Sequence, residues 1–166
     1  MKKLIGLILL IIFASFNYVV AAENVTLSTG ISVNEVPKAF FGSWRVTAKL
    51  SDTNSYGTFK PQSSDFWTLS RVGDVITLNN PFTGANADIT VRTVEGNLVV
   101  FSKVAPYDNK LLTDTVAIRL EKNSFKGINT LTLESHSLVD GHVIKTETAR
   151  YEISGEKIAG ENIIEE

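Results

Sequence analysis

Four aromatic side chains, Tyr56, Phe59, Phe66 and Trp67, lie in or just after an unpatterned stretch, SDTNSYGTFKPQSS, at 51–64. Aromatic rings gathered at a polar loop offer broad apolar contact at small entropic cost. That chemistry suits holding a small molecule, and a loop of this length is a usual place for gating and recognition. A second group, Glu134, His136, Lys145 and Glu147, flanks the Asp140-Gly141 pair. If Asp140-Gly141 is a two-residue hairpin turn, facing positions sum to 281. Glu134 then opposes Glu147, and His136 opposes Lys145. Opposed carboxylates repel unless they are solvated, protonated or bridged by a cation. Solvation is the simplest resolution, so this face is expected outside. His142 falls on the opposite face, and no metal site is expected. The same register sets Leu131 against Arg150 and turns Arg150 toward the interior.

No Gly-x-Ser-x-Gly, Walker loop, dinucleotide-binding loop or His-Glu-x-x-His is present. No catalytic residue is assigned and no cofactor is expected. The chain has 166 residues, 43% of them hydrophobic and 20% charged, with nine Phe, no Cys and a net charge of −2. It is long enough for one domain with a continuous core and too apolar for a disordered chain. Without cysteine there is no disulfide framework, thiol nucleophile or cysteine-ligated metal. The weakly acidic balance argues against a nucleic-acid partner, which calls for concentrated basic surface.

Lys2 and Lys3 precede an apolar run from Leu4 to Phe16, and Val20-Ala21-Ala22 meets the small-residue rule for cleavage. Residues 1–22 are therefore expected to be a signal peptide. The mature chain, 23–166, keeps 14 basic and 18 acidic residues, a net −4. It is expected to be exported, periplasmic in a Gram-negative bacterium and otherwise secreted, with no stable membrane span after cleavage. Asn24-Val25-Thr26 fits the N-glycosylation pattern, which matters only in a eukaryote.

The remaining chain must supply the elements that position these groups. Trp44, Val46, Ala48 and Leu50 alternate with polar residues, the period of a half-buried strand. Similar segments follow at 65–72, 75–79, 86–94, 97–104, 112–121, 127–139 and 142–154, most of them joined by short turns. No helical layer is expected to cover the sheet, so eight sequential strands must close on themselves or split into two facing sheets. Closure predicts an all-β, eight-stranded antiparallel up-and-down barrel over 23–155, with 156–166 as an acidic C-terminal tail. Strand seven offers no unbroken apolar face, which argues against a membrane barrel.

Val36-Pro37, Phe40-Phe41 and Gly42-Ser43-Trp44 together resemble the opening of the lipocalin group and its calycin relatives. Thr113-Asp114 stands where that family has a Thr-Asp-Tyr turn, with Thr115 in place of the tyrosine. The resemblance implies a short helical turn leading into the barrel, with Gly42 and Trp44 closing its floor. It also implies an arginine packed over the tryptophan, for which Arg150 is the candidate. The functional expectation is a binding or carrier protein for one small, apolar molecule, held near Tyr56, Phe59, Phe66 and Trp67. The alternative is a barrel filled by its own side chains that acts on a protein partner as a structural, inhibitory or envelope-assembly module. A small hydrolase or isomerase is the third reading.

Overall fold

The computed structural model describes residues 33–160. The signal-peptide reading, the Asn24 pattern and the last residues of the expected tail lie outside the described residues. Two 3-10 turns, Val33–Glu35 and Lys38–Phe40, lead into eight strands. These are β1 (Gly42–Thr53), β2 (Gln62–Val72), β3 (Val75–Asn80), β4 (Ala85–Glu95), β5 (Leu98–Tyr107), β6 (Lys110–Glu121), β7 (Ser124–His136) and β8 (Val143–Ala159). All pairs are antiparallel, neighbours in sequence are neighbours in space, and β8 returns to β1 to close the barrel. The expected fold class is the observed one. No helix among the described residues is long and apolar enough to cross a membrane.

Up-and-down order sorts the connections by end. Turns 73–74, 96–97 and 122–123 lie at the floor beside the 3-10 turns, and 54–61, 81–84, 108–109 and 137–142 lie at the mouth. Alternation along each strand sends every second side chain inward. Trp44, Val46, Leu69, Ile76, Val99, Phe101, Val116, Ile118 and Phe125 fill the floor half and are buried.

The floor is an aromatic cluster. Trp44 packs against Phe125 at 5.1 Å between centroids, Trp67 stacks on Phe125 at 5.9 Å, and Phe40 meets Phe101 edge-on at 5.5 Å. The Trp44 indole N–H donates to the Phe40 carbonyl at 3.1 Å, which satisfies its one polar atom. Gly155 makes room for this cluster, because a Cβ there would overlap the Phe125 ring. Gly42 has φ +121, and a Cβ on it would overlap the Ala159 carbonyl oxygen. Only glycine fits this start to β1.

The last hairpin departs from its expected register. Leu138 to Gly141 form an open turn in which the Gly141 N–H donates to the Ser137 carbonyl, and a bulge follows at Ser135/His136. Leu133 therefore faces Glu147, Thr132 faces Thr148 and Leu131 faces Ala149. A one-residue slip exchanges the two faces of a strand. Arg150 consequently lies on the exposed outer face, while Tyr151 and Ile153 are buried inside. The cation over Trp44 is Lys157, with Nζ 5.0 Å from the ring and donating to the Ala39 carbonyl at 2.8 Å. Residues 156–159, expected in a solvated tail, complete β8 and help close the barrel.

Two substitutions test the floor. Trp44→Ala is expected to cost about 3–5 kcal/mol through lost burial and a residual cavity, measured by chemical denaturation. Gly42→Ala should lower stability well beyond Gly57→Ala, since nothing stands within 4 Å of a Cβ at Gly57. Equal midpoints for the two glycine variants would contradict this account of the floor.

Candidate functional site

Above the aromatic floor the inward positions become small or polar. Ala48, Ser63, Ala87 and Ala105 occupy places that bulky residues hold below, and each is half-buried. Leu112 and Leu131 also face inward and keep part of their surface accessible. At the same end Ala85, Leu133 and Ala149 are buried, so access to the interior is partial.

A polar girdle crosses this region. Lys103 on β5 pairs with Asp114 on β6 at 3.4 Å, their side chains 23% and 15% exposed. Asn129 on β7 donates to the same Asp114 carboxylate. Across the barrel, Asp65 on β2 accepts from the Trp67 indole N–H at 3.1 Å, from the Phe66 backbone N–H at 2.8 Å and from Asn80. Desolvation by burial raises the pKa of Asp65 despite these donors, and the charges of Lys103 and Asp114 both act on it. The geometry supplies carboxylate acceptors, amide groups and one ammonium group above an indole. Among the described residues, no three His, Asp or Glu side chains come together in a group that could hold a metal.

The loop after β1 covers part of the mouth. Phe59 inserts into the core and is 4% exposed. The loop is latched by Glu147, which faces inward and is buried, contrary to its expected outward position. Its carboxylate accepts from Ser55 Oγ and from Thr58 Oγ1 at 2.7 Å, and pairs with Lys145 at 2.9 Å. These hydrogen bonds, Ser55 first, lower the Glu147 pKa to about 2. Tyr151 adds a tie from below, its hydroxyl donating to the Lys60 carbonyl at 3.0 Å, and burial pushes that phenol up to about 12.

The four aromatic candidates are not brought together. Trp67 faces inward above the floor, and Phe59 plugs the interior beneath the loop. Tyr56 stands 79% exposed at the loop tip. Phe66 alternates with Trp67 and packs tilted against the exposed Phe82 ring at 4.6 Å. Glu134 and Glu147 likewise part, since Glu134 lies on the outer face 3.7 Å from His136. Asp65, Asn80, Lys103, Asp114 and Asn129 carry the interior polarity. The signal for three of them was parity: Asp114 shares a face with Val116 and Ile118, Lys103 with Phe101, and Asp65 with Trp67.

No protein-family model, curated protein or solved structure matches the chain. The closed eight-stranded antiparallel barrel is consistent with a calycin-type topology.

The latch has a definite pH response. Glu147 titrates at about 2 in the folded chain, below its ordinary 4.5, so its contribution is complete above pH 4.5 and is lost as pH falls toward 2. Protection factors of the 55–60 amides, taken relative to intrinsic exchange at each pH, should therefore fall across that window in the wild-type protein. In Glu147→Gln the same protection factors are expected to be low already at neutral pH and to change little with acid.

Proposed function

We propose that this protein binds or carries one small molecule inside the barrel and acts outside the cytoplasm. The observation that carries the reading is the change along the barrel axis. Bulky buried side chains fill the floor, while the mouth half combines small, half-buried residues and a charged girdle with the buried Phe59 and Leu133. A barrel of eight strands is wide enough to be filled by its own side chains or to hold one small ligand. A barrel built only to be packed gains nothing from alanines above a tryptophan floor, and buried charge costs stability. The floor is sealed by Phe40, Trp44 and Lys157, so the ligand reaches the interior at the 54–61 end. Trp67 forms the base of the site, and Phe59 moves when the ligand enters. Export is proposed from the Lys2-Lys3 start, the apolar run and the Ala21-Ala22 cleavage pattern.

A second reading, an interaction module, is favoured by the mouth's own surface. Leu138 and Val139 are 89% and 95% exposed, and Tyr56 and Phe82 are exposed on other connections of the same rim.

Filling the mouth half separates the two. Ala105→Phe is expected to abolish uptake of co-purifying small molecules, followed by native mass spectrometry, with little change in melting temperature. In a barrel already packed with side chains the same substitution overpacks the interior and costs about 1–3 kcal/mol. That loss, with no small molecule retained by the wild-type protein, would move the reading to the interaction module.

A further inference from the structure

We infer that the ligand of this barrel is an organic cation, a protonated amine carried on an aromatic or aliphatic body. The inference rests on the binding-protein reading and names the chemistry of its ligand. The girdle holds two carboxylates, Asp65 and Asp114, and one ammonium group, Lys103. Lys103 lies beside Asp114, and Asn129 supports that pair. Asp65 is bound only by neutral donors, the Asn80 amide, the Trp67 indole and the Phe66 backbone N–H. Lys110, at the same parity as Asp114, is half-buried near the mouth rim, and two other interior charges are matched elsewhere. Glu147 is held by Lys145 and two hydroxyls at the loop, and Lys157 is bound at the floor to the Ala39 carbonyl and over Trp44. Asp65 thus forms no ion pair among the described residues, although the Lys103 charge reaches it, and it sits at the level of Trp67 in a partly desolvated setting where Coulomb attraction is stronger than in water.

A ligand ammonium group supplies the missing countercharge and offers N–H donors to carboxylate oxygens, a charge-assisted arrangement. The exposed parts of Trp67, Leu112 and Leu131 take the ligand's apolar body. A carboxylate ligand such as a fatty acid meets repulsion from Asp65 and Asp114. A neutral apolar ligand must leave the girdle's charge dry and uncompensated. The arrangement thus selects against the wrong ligand as well as for the right one.

Titration calorimetry with three probes sharing one ring system tests this: 1-naphthylmethylamine, 1-naphthalenemethanol and 1-naphthoate. The amine is expected to bind at least about tenfold more tightly than the alcohol, with the carboxylate weakest. Asp65→Asn should erase the amine's advantage over the alcohol, bringing their affinities within about twofold of each other. Lys103→Met removes the girdle's own cation, so it should widen the advantage. It decides the matter alone if Asp65→Asn does not fold. Equal or tighter binding of the alcohol or carboxylate would overturn the cation inference and leave the binding-protein reading standing. So would an amine advantage unchanged by both substitutions. Binding of none of the three probes, together with destabilisation by Ala105→Phe, would overturn both.

Discussion

Closure of β1 on β8 is the constraint from which the rest of the structure follows. The two strands pair from Ser43 with Ala159 to Thr53 with Ala149, with irregularities at Ser43/Trp44 and Leu50/Asp52 that let the sheet bend into a ring. Without that seam, β1 and β8 would be open edges with unpaired backbone groups. With it, every strand has two neighbours, and side-chain parity becomes a division between inside and outside. The floor cluster acts on the same seam. Lys157, near the end of β8, binds the Ala39 carbonyl just before β1, while Gly42 allows the strand to start against Ala159. The Ala39 carbonyl and the Trp44 face help make a buried ammonium group tolerable there.

Element order and fold were legible because both rest on local pattern. Alternating residues mark the strands, and the near absence of long connections leaves few ways to protect the edges of an eight-stranded sheet. Trp44 was legible for the same reason, as a large apolar residue at core parity behind a glycine. The last hairpin was not. Asp140-Gly141 is a strong two-residue turn signal, but tertiary pairing favours a longer turn with a bulge. One residue of slip was enough to send Arg150 out and Glu147 in. The burial of Tyr151 and Ile153 shows what competed with the local turn preference, since the alternative would have placed both in solvent.

The interior polarity was harder to read because parity had to be compared across five strands. Asp65, Asn80, Lys103, Asp114 and Asn129 are far apart in sequence, and only Asp114 falls in a short motif, the partial Thr-Asp pattern at 113–114. Each is the kind of residue normally assigned to a surface. They meet because closure turns the same parity of successive strands toward one axis. Charged residues at core parity conflict with the simplest requirement of folding, and such conflicts concentrate where a protein meets its ligand. The loop aromatics were the more conspicuous feature, yet strand alternation separates Phe66 from Trp67, and the latch at Glu147 draws Phe59 down while leaving Tyr56 outside.

An even number of strands in up-and-down order brings Val33 and Gly160 to the same rim, beside the aromatic floor. The opposite rim is made only of connections, four of them, and none includes a described chain terminus. Two separate evolutionary regimes follow from that geometry. Changes near the floor are felt by the seam and therefore by the whole fold. The 81–84, 108–109 and 137–142 connections can change length or residue type while the ring stays shut, each altering a different sector of the opening. Diversification of the mouth rim is thus uncoupled from the requirement that the chain remain a barrel.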